Sequence, residues 1–284
     1  MGKELRQGDI KPGFMGYAAI GNQVLLINSF SFNAEQDIQF YDHTVGLRDS
    51  VPTTLNSTKG DTSWYLHPQK SIYRPGVIAI NGTLDATMDD TTCTTLFNYA
   101  KKGDTIDALQ YIYNCKLQRT FKKCRINTFT LSASAGDVVK TNASFLALDL
   151  SESQDDGTPQ TNSSKIVTFD KVGITCYDID APIITFSMTI NNSAAYVYSA
   201  GTNLSSNLLP KEIRMGVQDV RGTMTFYTKG VDWKHVGQTV STINVVIGTL
   251  SFKLQCMFLP IKRDGAVGAI VSTLPFIGVG SYWL

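Results

Sequence analysis

Three histidines are the residues of this sequence best suited to acid–base chemistry near neutral pH. They are His43, His67 and His235, and each lies in a different polar loop or strand end. Asp42 directly precedes His43, which would be a useful pair if both side chains reached one site. Neighbouring residues of a strand point to opposite faces, however, so these two side chains cannot share a site. The histidines therefore indicate no catalytic centre.

Carboxylates and thiols are the other groups that could hold a metal or act as nucleophiles. Asp85, Asp89 and Asp90 cluster just before a predicted helix, and stabilisation of the helix N-terminus by their charge is favoured over a metal site. The five cysteines include no CxxC pair, which indicates separate thiols in a reducing compartment rather than a disulfide framework or zinc site. The motifs of serine hydrolases, zinc proteases, P-loop proteins and dinucleotide-binding proteins do not occur. We expect no enzyme activity, no cofactor and no bound metal.

One run of the sequence is strongly basic. Residues 116–125 contain five lysines and arginines and no acid. The run could contact phosphates. We favour an exposed edge strand whose lysines prevent unwanted pairing, or a strip that meets an acidic surface of a neighbouring subunit. Lys122 and Lys123 are therefore candidate inter-subunit contacts, and Glu152, Asp155 and Asp156 could supply the acidic partner.

The composition argues against binding that depends on the net charge of the chain. Lys+Arg 25 and Asp+Glu 24 nearly cancel, which argues against a protein held on nucleic acid or anionic lipid. Charged residues make up only 17% of the chain, and such a polar but uncharged surface suits packing against copies of itself. Residues 265–284 carry no charge, but their four glycines and one proline favour a buried strand and a C-terminal arm over a membrane helix.

Period-2 alternation dominates the chain and predicts an all-β fold. One short helix is expected in each half, over residues 91–102 and near residues 231–236. The predicted strands are 23–33, 38–45, 76–88, 127–134 and 138–149 in the first half, and 183–190, 195–199, 217–228, 242–258 and 266–273 in the second half.

The order of the elements repeats. A strand through Phe30 has its counterpart through Phe186, a strand through Gly82 has its counterpart through Gly222, and Val138 corresponds to Val267. The offset falls from 156 to 140 to 129 residues, so the second copy has shorter loops. Residues 151–164 are polar and acidic with no apolar side chain, which is typical of a linker. We therefore predict a first domain over 1–150, a linker over 151–164, and a second domain with a C-terminal arm over 165–284.

The repeated segments resemble the tail tube proteins of tailed bacteriophages, which are related to the tube proteins of contractile injection systems. The resemblance is clearest in I-Y-R-P-G-V-I-A-I-N-G-T-L at residues 72–84 and I-R-M-G-V-Q-D-V-R-G-T-M at residues 213–224, and the segment 125–148 is similar to the family's last hairpin. It implies two tandem β-sandwich domains, each flanked by a helix, that contribute strands to a shared oligomeric β-barrel. Most members carry one domain and form hexamers, whereas a duplicated chain implies a trimeric ring with pseudo-six-fold symmetry, or else a hexamer.

The resemblance implies a structural virion protein that assembles in the host cytoplasm into stacked rings, and so forms the channel for genome passage. Its partners would be copies of itself, other tail proteins (terminator, baseplate and tape measure) and double-stranded DNA in transit, without a membrane. One alternating set of side chains in 127–148 and 249–273 would line the bore, but the sequence leaves both sets open. A tail terminator or distal tail ring, and a carbohydrate-binding β-sandwich, are the alternatives. Stacking of rings would use the long loop 47–69 and the termini as arms. The candidate inter-subunit contacts are Trp64, Tyr65, Lys122, Lys123, Tyr282 and Trp283.

Overall fold

A computed structural model describes residues 16–21, 23–36, 39–45, 67–74, 78–112, 116–154, 164–176, 182–198, 210–227, 240–260, 262–266 and 269–283 of the chain. These residues form nineteen strands, one α-helix and one short 3-10 helix at Phe169–Lys171. The first half contains β1 Gly16–Ile20, β2 Gln23–Leu25, β3 Ile27–Gln36, β4 Gln39–Val45, β5 His67–Arg74, β6 Ile78–Thr87, α1 Asp90–Lys102, β7 Ile106–Ile112, β8 Leu117–Ser134, β9 Lys140–Ala147 and β10 Asp149–Gln154. The second half contains β11 Val172–Cys176, β12 Ile183–Asn191, β13 Ala195–Val197, β14 Glu212–Arg214, β15 Asp219–Tyr227, β16 Val240–Ile247, β17 Leu250–Phe258, β18 Lys262–Ala266 and β19 Ala269–Trp283.

The prediction of a nearly all-β chain is confirmed, and several element boundaries need correction. The predicted strand 242–258 is two strands, because Gly248 adopts a φ of 56° and turns the chain between β16 and β17. Strands β5, β7 and β11 were not predicted. Residues 151–154, which lie in the predicted linker, form the end of β10. The predicted helix near 231–236 lies outside the described residues.

Helix α1 confirms the prediction for residues 91–102. It begins at Asp90, and Lys101 and Lys102 lie in its last turn, where positive charge interacts favourably with the helix dipole. It ends at Gly103, whose φ of 68° suits glycine and whose N–H donates to the Tyr99 carbonyl at 2.9 Å. At thirteen residues, α1 is neither long enough nor apolar enough to cross a membrane. No other helix among the described residues is long and apolar enough to do so.

Fifteen strands belong to one antiparallel sheet system, which joins the two halves. Its central run has the order β3-β6-β9-β8-β12-β15-β19-β18. The crossing between the halves is β8, whose C-terminal part pairs with β9 on one edge and with β12 on the other. The N-terminal part of β8 pairs instead with β7 and β10. This eighteen-residue strand therefore passes from the outer strands into the central run.

The strand pairing repeats between the halves in detail. The order β3-β6-β9-β8-β7-β1 of the first half matches β12-β15-β19-β17-β16-β11 of the second half. A register shift between Ile27 and Ser29 of β3 recurs 156 residues later, between Ile183 and Thr185 of β12. β-Bulges are retained within protein families, so a bulge at the same position in both halves supports a common origin of the halves.

One equivalence drawn from the sequence is wrong by two residues. Phe145 lies opposite Gly82 on β6, and Phe276 lies opposite Gly222 on β15. Phe145 therefore corresponds to Phe276. The predicted equivalence of Val138 with Val267 would have placed Phe145 at Leu274 instead.

The core lies between the central run and the outer strands. It consists of alternate residues of the central run and of the outer strands β1, β7, β16 and β17, together with one face of α1. Phe97 of α1 stacks on Phe252 of the second half at 4.6 Å between ring centroids and contacts Trp283 edge-on at 5.2 Å. The helix of the first half thus packs against the strands of the second half.

Candidate functional site: the hydroxyl face

The central run presents one face to the core and a polar face to the outside, which we call the hydroxyl face. Every core-facing residue of β8 from Phe129 to Ala133 is buried, and the alternate residues between and beside them are not. The hydroxyl face follows from this alternation. Its described side chains are Ser29, Ser31, Asn81, Thr83, Asp85, Thr87, Arg125, Thr128, Thr130, Ser132, Ser134, Lys140, Asn142, Ser144, Leu146, Thr185, Ser187, Thr189, Asn191, Asp219, Arg221, Thr223, Thr225, Tyr227, Val271, Thr273, Pro275 and Ile277.

Hydroxyl groups on this face bond to each other across neighbouring strands. Four pairs are directly opposed in the register: Ser31 with Thr83 at 2.5 Å, Thr128 with Ser144 at 2.5 Å, Thr130 with Thr189 at 3.0 Å, and Thr225 with Thr273 at 3.3 Å. The third pair crosses from the first half to the second half, since Thr130 lies on β8 and Thr189 on β12. Cross-strand hydroxyl pairs of this kind stabilise a sheet by about 0.2–1 kcal/mol each. The polar face is therefore continuous across the junction.

Two of the three described cations of the hydroxyl face are paired with a nearby acid, and the third, Arg125, donates to the Gly103 carbonyl at 3.0 Å. The Lys140 ammonium lies 2.7 Å from a carboxylate oxygen of Asp137, in the turn before β9, and Arg221 lies 2.6 Å from Asp219. The hydrogen bond from Lys140, together with the N–H of Val138, holds the pKa of Asp137 below its usual range. Each of these three cations therefore has a partner within the chain.

Two glycines let aromatic rings lie flat against the core side of the run. A Cβ on Gly82 would lie 2.3 Å from the Phe145 ring, and a Cβ on Gly222 would lie 2.2 Å from the Phe276 ring. Only glycine allows this close approach, and both glycines belong to the repeated motif of the sequence. A shallow cavity of about 350 Å³ lies near Gly82 and is bordered by Ser31, Thr83 and Ser144.

A buried polar cluster fixes the junction between the halves. The Asn192 side-chain amide donates to the carbonyls of Ala100 at 2.9 Å and Ile126 at 2.8 Å. The Gln218 amide donates to the same Ala100 carbonyl and to Asn192 Oδ1, and its own oxygen accepts from Trp283 Nε1 at 2.9 Å. The last carbonyls of α1, which lack partners inside the helix, are thus capped by the second half.

A tyrosine makes a second contact between the halves. The Tyr196 hydroxyl, on β13, donates to the carbonyl of Ile80 on β6. Burial raises the pKa of Tyr196 to about 12, so the phenol stays protonated and remains a donor at physiological pH. The position of the hydroxyl face in one half is therefore tied to that in the other.

The predicted edge strand at the basic run is wrong. Residues 117–122 of β8 pair with β7 on one side and with β10 on the other, so this part of β8 is not an edge. Glu152, named as a possible partner on a neighbouring subunit, binds Arg119 of the same chain at 2.6 Å. Lys122 and Lys123 are exposed. They lie where β8 has left the central run and pairs with β7 and β10.

The structure describes only some of the other predicted contact residues. Trp64 and Tyr65 lie outside the described residues, and Tyr282 lies in β19. Trp283 is half-buried within the chain, where Lys101 Nζ lies 5.1 Å from its ring centroid. The role of these residues between subunits stays a prediction.

The described residues contain no group of three or more His, Cys, Asp and Glu side chains placed to hold a metal ion. Burial raises the pKa of Cys124 and of Cys256 to about 12. These thiols are therefore protonated at physiological pH and are poor nucleophiles.

A continuous antiparallel run with one core face and one polar, nearly charge-balanced face defines a structural β protein. Comparison with protein families gives a match to the model of the phage tail tube protein family over residues 109–278, which is more than half of the chain. The chain belongs to the phage tail tube protein family. Comparison with curated proteins found no match. The family supports a structural role in the virion tail, and the resemblance noted in the sequence is confirmed.

Proposed function

We propose that this protein assembles into stacked rings that form the tail tube, with the hydroxyl face lining the channel through which the genome passes. The observation that carries the proposal is the central run itself. It is an eight-stranded antiparallel ladder that bears the hydroxyl face on one side, and within the described strands it ends on β3 and β18 without a further neighbour. Closure of such a run with copies of itself leaves no exposed edge.

The internal repeat supports a ring of three chains. We assign two tandem domains to residues 1–150 and 165–284, joined through 151–164. Each would supply four strands of the run, namely β3-β6-β9-β8 and β12-β15-β19-β18. Three chains would supply 24 strands, and with a spacing of about 4.8 Å and a tilt of about 40° the barrel would be about 48 Å across between backbones. Such a bore accommodates duplex DNA after side chains are added.

The chemistry of the hydroxyl face suits passage of DNA without binding. Each phosphate neutralised by a free lysine or arginine releases counterions and adds affinity. Lys140 and Arg221 are already neutralised by Asp137 and Asp219. Hydroxyl groups that bond to each other across the strands have fewer donors left for phosphates. DNA would therefore move along this face without being held.

Contacts outside the bore would connect successive rings and other tail proteins. We place Trp64, Tyr65, Lys122, Lys123, Tyr282 and Trp283 among them, since Lys122 and Lys123 are exposed and interfaces favour aromatic residues. The assembly would form in the host cytoplasm, and the terminator, baseplate and tape measure proteins would bind at its ends or inside it. No specific binding of DNA is involved.

Electron microscopy of the purified protein tests the proposal. We expect rings or tubes with an open bore and three-fold symmetry. Single closed rings that never stack would favour a terminator or distal tail ring instead. A protein that stays monomeric at high concentration and binds glycans would contradict ring formation and favour a carbohydrate-binding β-sandwich.

A further inference from the structure

The two end strands of the central run, β3 and β18, correspond to two strands that already pair with each other inside the chain. β3 pairs with β6 along one edge, and β18 pairs with β19 along one edge. Among the described strands, neither has a neighbour on its other edge. One carbonyl of the β3 edge, that of Phe30, accepts a hydrogen bond from the Gln110 side chain at 3.3 Å. Open edges of this kind are templates for pairing with another chain.

The junction between β8 and β12 shows what one such edge binds. β8 and β12 are antiparallel, with Ser132 opposite Ser187 and Leu131 opposite Met188. The Ile184 carbonyl accepts from Ala135 N, and Asn192 N donates to the Asn127 carbonyl, so the even-numbered residues of β12 bond toward β8. Within the central run, the first half therefore ends in a strand that pairs with the first strand of the second half.

The repeat makes β3 the counterpart of β12. Phe32 lies opposite Gly82 just as Met188 lies opposite Gly222, and both strands carry the same register shift near their start. Each residue of β12 therefore corresponds to the residue 156 positions earlier in β3.

The repeat also makes β18 the counterpart of the C-terminal part of β8. Ser132 of β8 lies opposite Lys140 of β9, and β9 corresponds to β19 through the equivalence of Phe145 with Phe276. Lys140 then corresponds to Val271, which lies opposite Asp264 of β18. Asp264 thus occupies the position in β18 that Ser132 occupies in β8.

We infer that β18 of one copy pairs antiparallel with β3 of the next copy, in the register of β8 on β12. Asp264 then lies opposite Ser31, with Arg263 opposite Phe32 and Gly265 opposite Phe30. This inference rests on the proposed ring, and it adds the pair of strands and the register that close it. The even-numbered residues of β3 bond to the neighbouring copy, so the Phe30 carbonyl exchanges its bond from Gln110 for one from a backbone N–H.

Disulfide trapping tests the register. Asp264 and Ser31 would form a non-hydrogen-bonded pair, in which Cα atoms are about 4.5 Å apart and a disulfide can form. The variant Ser31→Cys with Asp264→Cys should give covalently linked chains on oxidation, ending at three chains. A ladder that ends at six chains would support the register and contradict the three-chain ring. All variants also carry Cys93→Ser and Cys115→Ser, because the other native thiols are buried.

Two matched variants control the result. Ser132→Cys with Ser187→Cys, at the equivalent positions inside one chain, should oxidise within the monomer and give no linked chains. Ser31→Cys with Ala266→Cys is displaced by two residues, so its Cα atoms are too far apart for a disulfide and it should not link.

Rings of the reduced Ser31→Cys, Asp264→Cys variant that do not link on oxidation would overturn the register and leave the proposed function standing. Absence of rings from the unmodified protein would instead overturn the proposed function. Hydrogen exchange on the unmodified protein gives a second measurement. We expect peptides covering 27–36 and 262–266 to gain protection on assembly, and no gain in either peptide would refute the inference without any variant.

Discussion

Gly222→Ala is the substitution whose effect on stability follows most directly from the structure. The added methyl group would lie 2.2 Å from Cζ of Phe276 and 2.4 Å from the carbonyl oxygen of Ser187. Ordinary contacts of a methyl carbon are about 3.5–4.0 Å, so both neighbours would have to move by more than 1 Å. The ring can move at the expense of core packing, but the Ser187 carbonyl belongs to the backbone of β12.

The expected cost combines two opposing effects. Overpacking in a core costs about 1–3 kcal/mol, whereas replacing glycine by alanine restricts the unfolded chain and stabilises by about 0.4–1 kcal/mol. We expect Gly222→Ala to lower the free energy of unfolding by about 2 kcal/mol. Gly82→Ala should cost less, about 1 kcal/mol, because its methyl group would meet only the ring of Phe145.

Urea unfolding of the unassembled chain measures these differences, with Gly173→Ala as the control. A Cβ on Gly173 would meet only Val246 Cβ, at 3.8 Å, so that variant should be as stable as the unmodified protein or slightly more so. Adding Phe145→Leu to Gly82→Ala should recover most of the loss, while Phe276→Leu should only partly relieve Gly222→Ala. A Gly222→Ala variant within about 0.5 kcal/mol of the Gly173→Ala control would refute the reasoning.

Three further predictions concern the junction and the hydroxyl face. Asn192→Ala removes both donors of a buried amide and should cost about 2 kcal/mol in urea unfolding, whereas the exposed Asn142→Ala should have little effect; equal losses would contradict the role of Asn192. The unmodified protein should lose stability above pH 10, and Tyr196→Phe should remove that loss. The pKa of Tyr196 is raised to about 12 from 10.0. The contribution of the protonated phenol to the free energy of unfolding is therefore complete below pH 10 and disappears as the pH rises through 12. The difference between the two proteins should then shrink between pH 9 and pH 11, and a constant difference would exclude this phenol as the cause. Thr130→Lys places an unpaired cation on the hydroxyl face, so assembled tubes should retain labelled duplex DNA at low salt and release it as salt increases; retention equal to that of Thr130→Ser tubes would show that this face does not meet DNA.

The repeat was visible in the sequence because it lies in strands with strong alternation. Phe30 and Phe186 each begin an apolar alternation that survives in the structure as β3 and β12. Gly82 and Gly222 could be recognised in the sequence as part of a repeated motif. The physical requirement for glycine at these two positions could not. It is the ring of a residue more than fifty positions away that requires the glycine, and such long-range contacts leave no local pattern.

The elements that sequence reasoning missed have weaker or interrupted signals. In the basic run, Lys122 and Lys123 are both exposed where β8 bends, and Lys123 adopts a φ of 51°, so the alternation is broken there. The sequence did not show which of the two alternating sets of side chains forms the hydroxyl face, because threonine and serine fit either face of a sheet. The buried Phe129 and Leu131 settle which set faces outward.

The pairing of β8 with strands of both halves has a consequence for how fast the proposed ring would form. Because β8 and β12 belong to one polypeptide, their meeting is an intramolecular event, with an effective concentration far above that of free subunits in a cell. Six separate domains would need six productive encounters to close a ring, whereas three chains of this kind need only three. The duplicated chain also delivers its two kinds of domain in equal numbers, so no incomplete ring can arise from an excess of one over the other.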